Sequence, residues 1–337
     1  MARQIGKQSL TFREAPFIME SASIGGTREA EGPLGEKLDA TGEDDNFGAE
    51  KWEEAESTMQ REACLLAMGK AHVSQNQVRY LFGGDLLRQG IATSMGVEKL
   101  QIPMFGLYGA CSTSGEALAL ASMSVAAGYG EYILAVTSSH FGSAEKEFRF
   151  PLSYANQRPL SAHWTVTGSG SFLVGKKESH VRISGLTVGK IVDYGLKDSQ
   201  NMGACMAPAA CDTIWQNLQD FGRSPEDYSR IITGDLGYVG QSILFDLLLE
   251  KGYDIRGKHL DCGMTIFDQQ TQDTHAGGSG CGCAATVLSA YILPKIERGE
   301  WERVLFVPTG ALMSTVSYNE GASVPGIAHA IVLEHEA

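Results

Sequence analysis

An internal duplication is the feature that most constrains how this chain can fold. Three elements of the first half recur in the second half in the same order. The matched pairs are segments 80–86 and 230–236, the small-residue turns that contain Cys111 and Cys281, and segments 130–136 and 299–307. The spacing agrees as well, because Gly130 follows Cys111 by 19 positions and Gly299 follows Cys281 by 18. Three matched elements in order predict two structurally similar halves.

Each half has alternating strand-like and helix-like segments, which is the pattern of an α/β fold. Segment 132–138 is apolar throughout, as strands inside parallel sheets are, and the nearly all-apolar segment 116–127 predicts a buried helix. Segment 27–56 is acidic and has no sustained apolar period, so we expect an exposed excursion there. We place the two halves at residues 1–180 and 181–337 and expect sites where they face each other.

Composition and charge exclude several classes of protein. The 337 residues carry a net charge of −13 with a pI near 5.1, which disfavours nonspecific binding to nucleic acid. The seven cysteines form no CxxC pair, so we expect free thiols in a reducing compartment. The N-terminus has no apolar core of the kind that a secretory signal needs. The longest apolar stretch, 117–129, is shorter than the roughly 20 residues of a membrane-spanning helix.

Cys111 lies where a predicted strand leads into the buried helix. At a helix N-terminus, unpaired N–H groups lower the pKa of a thiol and can hold an oxyanion. Ser112, Thr113 and Ser114 are candidate helix caps, and Gly109 permits a tight turn. The competing interpretation is a small buried cysteine that only packs. The strand–turn–helix context favours a pocket position for Cys111.

Segment 108–113, which contains Cys111, resembles the nucleophile motif of thiolases and ketoacyl synthases. This resemblance covers essentially the whole chain. It implies a thiolase-like fold, in which duplicated α/β halves form a layered αβαβα architecture. Segments 158–168 and 275–285 resemble, more closely, the stage V sporulation protein AD family.

The resemblance to stage V sporulation protein AD implies a function in endospore-forming bacteria. The expected ligand is dipicolinic acid (pyridine-2,6-dicarboxylate), alone or together with Ca²⁺, and no enzymatic turnover or other cofactor is implied. The expected partners are membrane subunits of the transport system that loads the spore, which places the chain at the inner spore membrane. A homodimer is the usual state of this fold. The alternative function is a Cys-dependent acyl-transfer or condensing enzyme that acts on an acyl thioester.

The partners that a condensing enzyme gives its thiol do not stand at their expected places in this sequence. The resemblance puts a His after the second-half strand and a His or Asn at the Gly-rich turn. Asp235 stands at the first place and Cys281 at the second, while His275 is the residue that could restore a triad. A negative Asp235 near Cys111 would raise the pKa of the thiol. We therefore interpret Cys111 as a vestigial nucleophile at the floor of a binding pocket.

Arginine suits a dicarboxylate ligand because its guanidinium pairs with a carboxylate through two parallel hydrogen bonds. Arg149 and Arg158 bracket a loop that we expect at the mouth of the cavity. The predicted ligand-binding residues are Cys111, Arg149, Tyr154, Arg158, His163, Asp235, His275 and Cys281. Asp193, Asp235 and Asp268 are candidates for a Ca²⁺-assisted mode, since carboxylates are hard ligands. Neither Cys281-x-Cys283 nor any other spacing predicts a metal site of its own.

Overall fold

The computed structural model describes residues 2–149, 152–154, 157–177 and 179–337. Over these residues the chain forms 17 β-strands and 11 α-helices. The strands are β1 Ala2–Ile5, β2 Ser9–Phe12, β3 Phe17–Gly25, β4 Ala40–Thr41, β5 Val78–Gly84, β6 Met104–Gly106, β7 Tyr132–Ser139, β8 Trp164–Thr165, β9 Gly168–Gly175, β10 Val181–Thr187, β11 Arg230–Thr233, β12 His259–Asp261, β13 Gly278–Ser279, β14 Arg303–Val307, β15 Thr309–Ala311, β16 Gly326–Ala328 and β17 Ala330–His335. The helices are α1 Thr27–Ala30, α2 Trp52–Lys70, α3 Ile91–Val97, α4 Thr113–Ala126, α5 Phe141–Phe148, α6 Met202–Phe221, α7 Gly237–Glu250, α8 Cys262–Ile266, α9 Cys281–Val287, α10 Leu293–Glu297 and α11 Thr315–Asn319. A π-helical turn, Leu288–Ile292, joins α9 to α10.

The duplication is visible in the order and direction of the strands. The first half contributes β6-β5-β7-β9-β3 and the second half contributes β12-β11-β14-β17-β10 to one sheet. In each half the first three strands run parallel and the last two are antiparallel to their neighbours. The two halves meet at β3 and β10 through the pair Phe17–Arg182. One element crosses the division, because the N-terminal β1–β2 hairpin pairs with β10.

The helices and the two parts of the sheet form five layers. Helix α4 packs on β5 and β7 of the first half and also reaches β17 of the second, while α9 packs on α4, β7 and β9. Helices α2 and α3 cover the outer face of the first half, and α6 and α7 cover that of the second. The layer order is therefore αβαβα, which confirms the predicted fold class.

Small side chains make the central layer possible. Helix α4 buries Ala117, Ala121 and Val125 between the two parts of the sheet. On β9, a Cβ added to Gly170 would lie 2.6 Å from the backbone of Ala285. Strand β9 and helix α9 can thus touch only because residue 170 is glycine. This close approach brings the N-terminus of α9 next to the Cys111 elbow of the other half.

The expectation of an exposed excursion at 27–56 is wrong for part of that segment. Leu34 is 2% exposed, and Glu29 on α1 is fully buried. Glu29 Oε1 accepts a hydrogen bond from the backbone N–H of Thr167, which fixes the excursion against the first-half sheet. An acidic composition masked this contact, because a charged residue is rarely buried unless it is hydrogen-bonded or paired.

Candidate functional site

The Cys111 elbow lies between β6 and α4, and Cys111 precedes the first residue of α4 by two positions. Ala110 has φ 50°, in the left-handed region that a non-glycine residue seldom adopts, so the turn is tight. The expected caps do not form: the hydroxyls of Ser112 and Thr113 donate to the carbonyls of Gly109 and Ala110, at 2.7 Å and 2.6 Å. These bonds hold the elbow closed. They leave Cys111 facing inward with 5% of its surface exposed.

The thiol of Cys111 is surrounded by groups that keep it protonated. Its sulfur lies 3.7 Å from the hydroxyl of Ser279, whose own hydrogen is donated to Asp235 Oδ2 at 2.7 Å. The Cys111 S–H therefore donates to Ser279 Oγ. Burial first, and then the negative charge of Asp235, raises the pKa of the Cys111 thiol well above its ordinary value. The helix N-terminus does not offset these two effects. The geometry agrees with the sequence-based expectation that Asp235 near Cys111 raises the pKa of the thiol.

Asp235 is locked in place by hydrogen bonds from three elements. Its Oδ2 accepts from the Ser279 hydroxyl and from the Gly280 N–H at 3.0 Å, and its Oδ1 accepts from the Thr309 hydroxyl at 2.7 Å. The side chain is fully buried. These hydrogen bonds make Asp235 a structural clamp between β11, β13 and β15. It lies at the end of a second-half strand, at the place where the resemblance puts a His.

Cys281 does not occupy the second partner position, which corrects the sequence-based assignment. Its thiol donates to the carbonyl of Ser138 at 2.9 Å, and it packs with Cys111 in a small buried cluster. The residue that faces the Cys111 sulfur from the Gly-rich turn is Ser279. Gly280 has φ 117°, a conformation that favours glycine, and this kink at the start of α9 separates the directions of the two flanking side chains.

A narrow cavity of about 50 Å³ lies over Cys111 and opens into a wider cleft of about 670 Å³. The inner cavity can hold only a few water molecules. The wider cleft is within the range of small-molecule sites. The residues that line both are Phe148, Arg149, Ser199, Gln200 and Met313. The cleft therefore forms where α5 of the first half faces α11 and loops of the second half.

Arg149 is the cation at the junction of the cavity and the cleft. Its side chain is only 12% exposed, and it pairs with Glu145 of α5, with NH1 and Oε1 3.0 Å apart. Its NH2 group donates to the carbonyl of His163 at 3.2 Å. Within the described ranges, Glu145 Oε2 and Gln200 Oε1 are buried without a hydrogen-bond partner. Buried polar atoms of this kind normally have partners, so the cavity wall is suited to a polar ligand.

The outer cleft carries two further cations and a link between the halves. Arg88 pairs with Glu147 at 2.6 Å and donates to the hydroxyl of Thr315 on α11 at 2.6 Å. Lys146 pairs with Glu53 of α2 at 2.5 Å. Each of these cations is paired with a carboxylate, so an anionic ligand would compete with Glu147 and Glu53 for them.

Two predicted ligand residues lie elsewhere. Arg158 donates to the carboxylate of Asp273 at 2.9 Å and to its carbonyl at 3.1 Å, and its guanidinium lies over Trp164. His275 bonds the carbonyl of Pro159 at 2.8 Å and also faces Asp273. Neither residue lines the described cavity or cleft, so the expectation of a cavity position is wrong for both. Their contacts instead tie the 157–162 loop to the second half.

The remaining predicted residues are placed as follows. His163 is fully buried, its Nε2 faces the carbonyl of Leu236 at 3.3 Å, and burial lowers its pKa. It supports Arg149 through its carbonyl rather than lining the cavity. The side chain of Tyr154 lies outside the described residues. Asp193 and Asp268 are exposed and accept hydrogen bonds from nearby backbone N–H groups, and Asp193 also accepts from the hydroxyl of Ser323. No group of three or more potential metal ligands forms within the described ranges.

Sequence reasoning missed Glu145, Ser279, Gln200 and Arg88. Each belongs to a different segment, and no local motif links them, so the sequence carried no signal that would join them.

Comparison with known proteins identifies the family. The family model of stage V sporulation protein AD matches residues 6–334. Stage V sporulation protein AD of Bacillus subtilis (strain 168) is 40% identical to the chain over 329 residues, which covers 98% of this chain and 97% of that protein. The chain belongs to the stage V sporulation protein AD family. The resemblance drawn from segments 158–168 and 275–285 is thus confirmed.

Solved structures show that this sporulation protein has a thiolase-like fold. The 3-oxoacyl-[acyl-carrier-protein] synthase III of Aquifex aeolicus VF5 matches with a TM-score of 0.57 and 13% identity, over 95% of this chain and 99% of that one. A single-residue variant of Xanthomonas campestris OleA matches with a TM-score of 0.62 and 12% identity, over 96% of this chain and 99% of that one. No helix within the described residues combines the length and apolar character needed to cross a membrane.

Proposed function

We propose that this member of the stage V sporulation protein AD family binds dipicolinic acid in the cleft above Cys111. The observation that carries the proposal is Arg149, whose side chain is mostly buried at the junction of the inner cavity and the outer cleft. A planar guanidinium recognises a carboxylate through two parallel hydrogen bonds. Low exposure strengthens such a pair, because water competes for it less.

The size and charge of the two spaces favour the outer cleft as the site of the ligand ring. The inner cavity, of about 50 Å³, is lined by Cys111 and Ser279 and is backed by the Asp235 carboxylate. A ligand carboxylate placed there would face a buried negative charge. The outer cleft, of about 670 Å³, supplies Phe148 and Met313 as apolar surfaces for a flat ring. One ligand carboxylate then reaches Arg149 while Cys111 forms the floor beneath it.

The second carboxylate of the ligand has its own candidate partners. Arg88 and Lys146 line the outer cleft, and both carry their charge on long side chains that can turn toward the ligand. Because a dicarboxylate can engage Arg149 and one of these cations together, it has an advantage over a monocarboxylate of the same size. Pyridine-2-carboxylate, which keeps the ring and one carboxylate, is the matched comparison ligand.

We infer that the thiol no longer performs acyl transfer. A working cysteine nucleophile needs a depressed pKa or an adjacent base. Burial and Asp235 instead raise the pKa of Cys111. Among the described residues, the hydrogen-bond partner of its sulfur is a serine, with no histidine in that role. Incubation with acyl-CoA should therefore leave the mass of the protein unchanged.

The proposal extends to partners. We propose that the chain serves the transport system that loads the spore, and that membrane subunits hold it at the inner spore membrane. We also propose a homodimer formed across strand β6, the edge of the sheet. Phe105 on this edge is 54% exposed and stacks on Phe82 with ring centres 5.2 Å apart. An exposed aromatic residue on an unpaired edge is suited to pairing with a second copy.

Calorimetric titration with dipicolinate, with and without Ca²⁺, tests the binding proposal. We expect binding by the unaltered protein and a loss of at least ~30-fold in affinity for Arg149→Gln, since removing one partner of a buried charge pair costs about 2 kcal/mol or more. Arg158→Gln is the matched control and should bind within ~3-fold of the unaltered protein, because Arg158 is engaged by Asp273 away from the cleft. No heat of binding at millimolar ligand, in either condition, would rule the proposal out.

A further inference from the structure

Glu145 is an unexpected residue in the wall of a site for an anion. It lies on α5, its side chain is 4% exposed, and it lines the inner cavity beside Arg149. Its Oε1 pairs with Arg149 NH1 at 3.0 Å. Its Oε2 has no hydrogen-bond partner in the described part of the chain. The cation that best fits a ligand carboxylate is therefore already neutralised by a buried carboxylate.

A dicarboxylate that pairs with Arg149 must come close to Glu145. Two carboxylates that share one guanidinium in a site shielded from water repel each other, and one of them then holds a proton more tightly. The side chain of Glu145 is almost fully buried, so water cannot screen its charge. The ligand carboxylate gains more by remaining ionised, because it takes over the guanidinium.

We propose that binding of the dicarboxylate places one proton on Glu145, so that ligand and proton are taken up together and released together. This inference rests on the proposed function. The proton comes from solvent through the outer cleft and forms an O–H bond on Glu145. The neutral acid can then donate a hydrogen bond to the ligand, with no other bond formed or broken. Glu145 thereby becomes a residue of the binding site that couples the cargo to pH.

The charges around Glu145 are consistent with this role. The positive charges of Arg149 and Arg158 oppose the burial that raises the pKa of Glu145, and of the two it is Arg149 that is in contact with it. From α2, Glu56 faces α5 through the hydroxyl of Ser143, at 2.7 Å. When a ligand carboxylate pairs with Arg149, it offsets part of the positive charge that works against the rise in the pKa of Glu145. The pKa of Glu145 then rises further.

Two neighbouring carboxylates lack this coupling and serve as comparisons. Glu53 is engaged by Lys146, and Glu147 by Arg88. Glu147 has the same charge and the same helix as Glu145, but its side chain is 20% exposed. Water can therefore screen the charge of Glu147 when a ligand approaches, which it cannot do at the more deeply buried Glu145.

Calorimetry in two buffers with different ionisation heats, at one neutral pH, counts the protons taken up with dipicolinate. We expect about one proton for the unaltered protein and for Glu147→Gln, and close to none for Glu145→Gln. Linkage then weakens dipicolinate binding to the unaltered protein by up to ~10-fold per pH unit above the pKa of Glu145, while Glu145→Gln shows a flat profile.

The possible failures are distinguishable. Binding by the unaltered protein without proton uptake overturns the role of Glu145 and leaves the dipicolinate proposal intact. Proton uptake by Glu145→Gln equal to that of the unaltered protein also overturns it, because the proton then goes elsewhere. A lack of any binding overturns the proposed function and this inference with it. The measurement on the unaltered protein is decisive even where a variant does not fold.

Discussion

Replacing Asp235 by Asn tests whether this carboxylate keeps Cys111 protonated. The steps from the sulfur to Ser279 Oγ (3.7 Å) and on to Asp235 Oδ2 (2.7 Å) add to 6.4 Å, the greatest separation of thiol and carboxylate. At about 6 Å and an effective dielectric constant near 20, a thiolate and a carboxylate repel by about 3 kcal/mol, or ~100-fold in thiolate population. A thiolate of lower basicity is also a weaker nucleophile, with a Brønsted coefficient near 0.5. The net expectation is an alkylation rate about 10-fold higher.

The variant should keep its fold. Asn retains an oxygen that can accept from Ser279 and Gly280, and its NH₂ group can donate to the Thr309 hydroxyl, which already accepts from the backbone N–H of residue 235. The expected structural cost is therefore that of a neutral rather than a charge-assisted set of hydrogen bonds, about 1–3 kcal/mol. A thermal melt followed by Trp fluorescence checks this.

The assay is the rate of iodoacetamide labelling at individual cysteines, followed by peptide mass spectrometry. Cys281 is the internal control, since it is buried beside Cys111 but its thiol bonds to Ser138 and its raised pKa arises from burial and from charges other than Asp235. We expect a selective increase at Cys111. An unchanged Cys111 rate in a folded Asp235→Asn protein would refute the electrostatic reasoning. An equal increase at Cys281 would show general opening of the core instead.

Cys111, Glu29 and Phe105 offer three further tests. Cys111→Ser should bind dipicolinate within ~3-fold of the unaltered protein in calorimetry, because the thiol is uncharged and only lines the bottom of the cavity. A large loss of affinity would indicate a chemical role for the thiol. Glu29 is fully buried with a pKa of about 8, against an ordinary 4.5, so the folded state holds a proton that the unfolded state releases, and stability falls as pH rises between these values. In chemical denaturation, the free energy of unfolding of the unaltered protein should therefore fall by about 3–4 kcal/mol more than that of Glu29→Gln between pH 5 and pH 8. Parallel pH profiles of the two proteins would contradict this. Phe105→Glu should halve the mass seen in sedimentation velocity if β6 is the dimer edge, and an unchanged mass would exclude that edge.

Much of the fold could be predicted from the sequence because the repeat restricts the topology. Segments 80–86 and 230–236 became the equivalent strands β5 and β11, and the apolar segment 116–127 became the central helix α4. These features depend on local composition and on order along the chain, which a sequence displays directly. The position of Cys111 in a pocket followed from the same local context.

The walls of the site could not be predicted, because they depend on contacts between distant segments. Arg149 and Arg158 bracket the same loop, and nothing in the sequence distinguishes them. In the structure Arg158 pairs with Asp273, 115 positions away, while Arg149 lines the cavity. Ser279, and not the predicted Cys281, faces the Cys111 sulfur from the Gly-rich turn. This depends on the backbone at Gly280, whose φ of 117° turns the two side chains apart. A glycine permits that angle but does not reveal it.

Protection of Cys111 by dipicolinate tests the central claim most directly. A ligand held by Arg149 closes the way from the outer cleft to the inner cavity, so labelling of Cys111 at alkaline pH should fall with rising dipicolinate, with a midpoint equal to the Kd that calorimetry gives at the same pH. Labelling of Cys205, on α6 and outside the cavity, should not change. Undiminished labelling of Cys111 at saturating dipicolinate would contradict the account, because the ligand would then bind elsewhere.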